Sequence, residues 1–261
     1  MDFLKKITDN PYQDLYWNIP EEQKRGTVSV IGGNGLNFRT TIKTAEFLTD
    51  RFPIKDVRVV LPDTLKSKLP PVENLIFLKT TDVGSFASSS ELNSIIDNAD
   101  FSLILGDLSK NSITAKALAE ALTESKKPVL ITRDAIDLIA EVKPEQILMR
   151  NDLIIFGSLV QWQKIFKSIY YPKILMPSES LMQVAEAFHK FCLSYPVQAI
   201  LLHDGQILIC KNGNVEVVPL AKSGYSPLTI WSGEMAGKIM ALNLYNPDKF
   251  IEASVAGIML K

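Results

Sequence analysis

Residues 226–244 read SPLTIWSGEMAGKIMALNL, and the rest of the chain is interpreted outward from them. Met235, Ala236, Ile239, Met240, Leu242 and Leu244 are apolar nearly all the way round a helical wheel, which predicts a buried helix. An extended approach through Pro227 is expected to lead into a first turn holding Trp231, Ser232, Gly233 and Glu234. The free N–H groups of a helix start point outward and attract anions, so the backbone of Ser232, Gly233 and Met235 is a candidate phosphate site. Gly233 lets a ligand approach the backbone. Beside such a site the Glu234 carboxylate suits a general base, taking a proton from a hydroxyl while phosphate sits on the N–H groups. The plainer reading is a buried helix with a capped start.

The chain has 261 residues, 46% of them hydrophobic and 22% charged, with a net charge of −1. Such a length can bury a good core, and such a composition is that of an ordinary globular protein. There is no basic block, which argues against a nucleic-acid partner. There is also no apolar run near the ~18 residues of a membrane span, which argues against a membrane. The first residues carry no apolar stretch long enough for a signal peptide, so the expected compartment is the cytoplasm. Cys192 and Cys210 sit in apolar surroundings and read as reduced core residues. With only His189 and His203 and no paired cysteine motif, no resident metal site is expected; any metal would be Mg²⁺ carried in by a nucleotide.

Taken in order, residues 1–25 form an extension expected to pack on the body, and 26–261 a single domain. Thr27–Ile31 is a β-branched run that predicts a buried strand, followed by Gly32-Gly33-Asn34-Gly35 and a helix over 38–52. The unit fails the dinucleotide fingerprint: with Gly33 and Gly35 as the first pair, the third glycine falls at Phe38. Further strands are predicted at 57–61, 75–78, 101–105, 128–131, 153–156, 198–202, 206–210 and 215–218. Helices are predicted at about 90–98 with Ser90 as cap, 112–125, 135–140 with Asp134 as cap, and 178–195. Repeated strand–helix–strand order argues a parallel sheet with helices on both faces. Sites in such sheets gather at the carboxyl ends of strands.

Several segments together resemble the ATP- or ADP-dependent NAD(P)H-hydrate dehydratase family, of the ribokinase-like carbohydrate kinase superfamily. The family's Gly-Ser/Thr-Gly-Asp segment is Trp231-Ser232-Gly233-Glu234 here, with tryptophan for the first glycine and glutamate for the catalytic aspartate. Its opening, a Lys-Gly pair and a strand ending in Ile-Gly-Gly-Ser, is similar to Arg25-Gly26 and Val30-Ile31-Gly32-Gly33-Asn34. Of its Gly-Pro-Gly-Leu-Gly loop only Gly106 remains, followed by Asp107-Leu108-Ser109. Of its Asp-Ala-Asp-Ala-Leu segment Asp134 remains, within Thr132-Arg133-Asp134-Ala135-Ile136. Its Thr-Pro-His and Pro-Gly-Glu segments have become Phe156-Gly157-Ser158 and Leu159-Val160-Gln161. Its Leu-Lys-Gly has become Leu202-His203-Asp204-Gly205.

The resemblance covers about residues 24–256. It implies a ribokinase-like three-layer α/β/α sandwich with a mostly parallel sheet, and homo-oligomers. It also implies a reaction in which the hydroxyl of hydrated NADH or NADPH is phosphorylated by ATP or ADP with Mg²⁺ and then lost as phosphate. On that reading Glu234 is the base. Ser232, Gly233, Met235, His203 and Trp231 lie on the nucleotide side, and Gly33, Asn34, Gly106 and Ser158 on the substrate side. Trp231 either blocks the phosphate hole or stacks on a ring of the ligand. Gly33 and Asn34 either line the substrate or form a tight turn. Three readings follow: an active dehydratase, a silent relative that still binds nucleotide or a partner, and a small-molecule kinase of the same fold.

Overall fold

The computed structural model describes residues 3–20, 22–70, 73–81, 84, 86–142, 144–220 and 231–260. The expected approach through Pro227 lies outside the described residues. In chain order the strands are β1 (Leu4–Lys6), β2 (Arg25–Gly32), β3 (Ile54–Pro62), β4 (Leu75–Leu78), β5 (Phe101–Gly106), β6 (Val129–Thr132), β7 (Leu153–Ser158), β8 (Gln198–His203), β9 (Gln206–Lys211) and β10 (Asn214–Pro219). The α-helices are α1 (Arg39–Arg51), α2 (Ser89–Asp97), α3 (Ser112–Glu124), α4 (Asp134–Ala140), α5 (Glu145–Leu148), α6 (Leu159–Ser168), α7 (Leu181–Ser194), α8 (Glu234–Tyr245) and α9 (Phe250–Met259).

Among the described residues one ten-stranded sheet runs in the order β1-β10-β9-β8-β7-β6-β5-β2-β3-β4. Neighbours are parallel except β8–β9 and β9–β10, which are antiparallel. The β9–β10 connection is tight, with Asn212 and Gly213 both at positive φ (50° and 78°), as a two-residue hairpin turn requires. Side chains alternate between two cores. Ile104, Ile131, Ile155 and Leu201 face the helices α2 to α7, while Leu103, Leu130, Ile154 and Ile200 face α1, α8 and α9. Both faces of the sheet are therefore covered, and the three-layer α/β/α sandwich expected from the sequence is what forms.

The first residues join the sheet: Leu4–Lys6 pair in parallel with Val215–Val217. Tyr12 Oη donates to the buried Glu216 Oε1 at 2.6 Å, and Tyr16 Oη donates to the Ala256 carbonyl at 2.8 Å. On the other side of the sheet the strand order reverses between β5 and β2. That is the topological switch point at which ligands enter open α/β sheets.

Three sequence expectations need correction. Ser88, not Ser90, caps α2, its Oγ accepting the Glu91 N–H at 3.2 Å; two serines further on, Ser90 has already entered the helix. Asp134 is not a cap. It is the first residue of α4, and its Oδ1 instead accepts the Asp107 N–H at 2.7 Å. The last buried helix starts at Glu234, so Trp231, Ser232 and Gly233 precede it. Gly233 is in the left-handed region (φ 89°), a conformation that ends the preceding turn rather than continuing a helix.

Candidate functional site

The carboxyl ends of β2, β5, β6 and β7 and the start of α8 converge at the switch point. Gly33, at φ 89°, donates its N–H to the Gly106 carbonyl at 2.9 Å, tying the ends of β2 and β5 together. Asn34 Nδ2 donates to the Asp107 carbonyl at 2.7 Å, while Asn34 Oδ1 accepts the N–H groups of Leu36 and Asn37. Gly106 is at φ 96°, and a Cβ there would lie 2.1 Å from Asp134 Oδ1. The glycine is therefore required both by its backbone angle and by the carboxylate packed on it. Gly33, Asn34 and Gly106 thus form one group, joined by Asp107 and Asp134.

A feature that the sequence did not reveal dominates this group. Arg133 donates to Asp107 through both terminal nitrogens, Nη1 to Oδ2 at 2.8 Å and Nη2 to Oδ1 at 2.5 Å. Both residues take positive φ, 56° and 55°. Outside glycine such a conformation costs of order 1 kcal/mol or more and persists only where surrounding contacts enforce it. Here the contacts are the fork itself, the Asp107 N–H on Asp134 and the Arg133 carbonyl, which accepts from Gln161 Nε2. Arg133 Nε is buried without a hydrogen-bond partner among the described residues. Burial, with the Asp107 charge adding to it, raises the Asp134 carboxyl above its ordinary value. The Asp107 N–H and the Arg133 and Lys110 charges offset part of this.

Ser158 is committed to local structure. Its Oγ accepts the Gln161 N–H at 3.4 Å and Gln161 Oε1 accepts the Ser158 N–H at 3.0 Å, a capping box at the start of α6. Above it, a space of about 10 Å³ is lined by Thr132, Phe156, Gly157, Ser158, Gln161, Leu202 and the partly exposed Trp231. That is at the lower limit of room for one water molecule. The Trp231 side chain thus sits against the ends of β6, β7 and β8.

On the other side of the turn, a Cβ at Gly233 would meet Thr44 Oγ1 at 2.1 Å, and Thr44 Oγ1 donates to the Ser232 carbonyl at 3.4 Å. The turn before α8 is therefore seated on α1. Ser232 Oγ accepts the Glu234 N–H at 3.4 Å. The Glu234 carboxylate is half-buried and makes no hydrogen bond or ion pair among the described residues. Met235 contributes only backbone, its side chain being fully buried. His203 stands apart. Alternation on β8 sends Leu202 toward Trp231 and His203 to the opposite face, where its Nε2 lies 3.3 Å from the Glu179 carbonyl.

By sequence, no family model and no curated protein matches this chain. By structure the matches are extensive. A ribokinase-like superfamily protein from Enterococcus faecalis superposes with a TM-score of 0.69 at 16% identity, over 100% of this chain and 86% of that one. The fold is ribokinase-like. An ADP/ATP-dependent NAD(P)H-hydrate dehydratase from Bacillus subtilis, co-crystallised with ATP/Mg²⁺ and soaked with CoA, matches this ribokinase-like chain with a TM-score of 0.63 at 13% identity. The match covers 95% of this chain and 85% of that one. An Anopheles gambiae adenosine kinase in complex with P1,P4-di(adenosine-5) tetraphosphate matches with a TM-score of 0.54 at 10% identity, over 98% and 89%. Among the described residues no helix is long and apolar enough to cross a membrane.

Arg133, Asp107 and Thr44 escaped the sequence reading. Asp107 and Arg133 are 26 positions apart and meet because β5 and β6 are adjacent. Nothing local marks them as partners. The one available signal was the Gly106-Asp107 pair at a strand end, where a turn with positive φ is common.

Proposed function

We propose that this chain is a divergent, nucleotide-binding relative of the NAD(P)H-hydrate dehydratases, in which the phosphate side of the site is kept and the substrate side is closed by the protein's own side chains. The observation that carries this reading is the Arg133–Asp107 fork with Asp134 behind it. Most of the polar groups on this side, Arg133 Nε apart, are already paired with one another, and a space of only about 10 Å³ lies beside Ser158 and Trp231. A ligand would have to displace these contacts, each worth roughly 1–3 kcal/mol where a charge is involved.

The phosphate side has the parts it needs. The Ser232-Gly233-Glu234 turn is held on Thr44, and the first N–H groups of α8 lie beyond it, where developing phosphoryl charge is stabilised. ATP or ADP would bring its own Mg²⁺. Among the described residues no three His, Cys, Asp or Glu side chains gather as a metal cage, and Mg²⁺ commonly relies on substrate phosphates and water.

Glu234, half-buried and without a side-chain partner among the described residues, favours a second reading, an active dehydratase. Its carboxylate would take the proton from the hydroxyl of hydrated NADH or NADPH as that oxygen is phosphorylated, after which phosphate leaves and the ring is restored. Glutamate is one methylene longer than aspartate, and a misplacement of ~1 Å can cost about 100-fold in rate.

One experiment separates the readings. The protein is melted with and without ATP or ADP and Mg²⁺, then incubated with hydrated NADH and nucleotide while reduced-nicotinamide absorbance is followed. A nucleotide-dependent rise in Tm without return of absorbance is expected. Return of absorbance that is lost in Glu234→Gln establishes the active reading, and a stable phosphorylated product marks a kinase. No response of Tm to either nucleotide overturns the proposal.

A further inference from the structure

At the opposite end of the sheet lies a cavity of about 330 Å³ that the proposed nucleotide site does not use. Its volume is within the range of small-molecule pockets, roughly 300–1,000 Å³. It runs along the amino ends of the parallel strands, from Lys211 at the end of β9, past Gln198, Ile154 and Pro128, to Phe101 and Asp100 before β5. Since β9 and β7 are two strands apart and β9 and β5 four, the trough spans about 10 Å from Lys211 to Asp152 and about 19 Å to Asp100 at the usual strand spacing.

Its two ends carry opposite charge. Among the described residues Lys211 Nζ donates no hydrogen bond and makes no ion pair; the Phe250 ring lies 5.7 Å from Nζ, and the Glu252 and Asp248 charges act on it without touching it. A half-buried ammonium with no hydrogen-bonded partner has lost water that a ring face and more distant carboxylates replace only in part. Burial accordingly lowers the Lys211 pKa from its ordinary value, and the Glu252 and Asp248 charges offset part of that.

At the far end stand Asp152 and Asp100. Asp152 Oδ1 accepts from Arg150 Nε at 2.9 Å, and Asp100 Oδ2 accepts the Thr27 N–H at 2.8 Å. The second oxygen of each carboxylate has no hydrogen-bond partner among the described residues. Asp248 lines the wall. A plain anion would meet three carboxylates here, and a plain cation would leave Lys211 unsatisfied.

We propose that this basal trough binds a small zwitterion, its carboxylate on Lys211 and its ammonium toward Asp152. A compound with an amine and a carboxylate at the two ends of a short carbon chain satisfies both ends at once, and its methylenes lie along Ile154 and Phe101.

The test uses the full chain and calorimetric titration with δ-aminovalerate, alongside valerate, which lacks the ammonium, and pentylamine, which lacks the carboxylate. Saturable binding of δ-aminovalerate with millimolar or tighter Kd is expected, with each control at least about tenfold weaker. Lys211→Met should weaken δ-aminovalerate about tenfold or more, and Lys211→Arg should restore most of it. Asp152→Asn, whose amide oxygen can still accept from Arg150 Nε, tests the other end and should bring δ-aminovalerate down to the level of valerate. Absence of saturable binding, equal binding of valerate or pentylamine, or an unaffected Lys211→Met protein each overturns the proposal. Circular dichroism of every variant confirms folding, and the Asp152 arm decides the matter if Lys211→Met does not fold. ATP added to saturation should leave this binding unchanged, which keeps the outcome separate from that of the nucleotide site.

Discussion

Gly233 shows how much a single hydrogen atom can specify. Its φ of 89° and the 2.1 Å approach that a Cβ would make to Thr44 Oγ1 both exclude a side chain. Gly233→Ala is expected to lower stability by about 1–3 kcal/mol in urea unfolding. Gly237 sits inside α8, where an added Cβ would make an ordinary 3.4 Å contact with Leu48. Gly237→Ala should be neutral or stabilising by up to about 1 kcal/mol. Equal effects of the two substitutions would mean that the turn is not held on Thr44.

Tyr245 is the converse case. Its Oη is buried without a partner among the described residues, and burial pushes its pKa up to about 12. The folded protein then keeps a proton that the unfolded chain gives up near pH 10, so stability falls as pH rises from there toward 12. Tyr245→Phe should hold or raise stability at neutral pH, by about 1 kcal/mol at most, and flatten the alkaline fall. A large loss of stability would reveal a partner for that hydroxyl.

At the scale of elements, the ends of β5 and β6 are joined by charge rather than by apolar contact. The raised Asp134 carboxyl means that the folded state binds its proton more tightly than the unfolded chain. Stability is therefore lost as pH rises from the ordinary carboxylate value through the raised one. Asp134→Asn keeps an oxygen for the Asp107 N–H and removes that loss. Chemical denaturation across the acid range should show a flatter profile and unchanged or greater stability at neutral pH; a profile matching the parent would show that the carboxyl titrates normally.

The first strand is held in a similar way. Glu216 accepts from Tyr12 and lies 3.4 Å from Lys5 Nζ. Glu216→Ala should cost about 1–3 kcal/mol locally. Hydrogen exchange at Leu4–Lys6 should then become faster than in the parent, while α8 keeps its protection.

Across the whole molecule, the sheet offers two ends to ligands and furnishes them differently. On the proposed reading, the carboxyl end keeps the backbone of a phosphate site while its substrate side is filled. The amino end has an open trough with uncompensated charge. If Trp231 is what closes the first, Trp231→Gly should enlarge the Tm response to ATP at least twofold over that of the parent. A response no larger than the parent's would place the closure in the Arg133–Asp107 fork instead.

The chain's own pattern was enough for the layers. Buried β-branched runs at 27–31, 101–105 and 153–156 alternate with amphipathic helices, and this periodicity requires a parallel sheet covered on both faces. The placing of Gly33, Asn34 and Gly106 on one side of the site came from the family resemblance rather than from this pattern. What it did not contain was pairing across elements. Arg133 meets Asp107, Thr44 meets Gly233, and Lys211 shares a trough with Asp100 because strand order places them together. Short-range periodicity does not encode strand order. Only the tertiary structure decided which charges are spent on one another and which are left for a ligand.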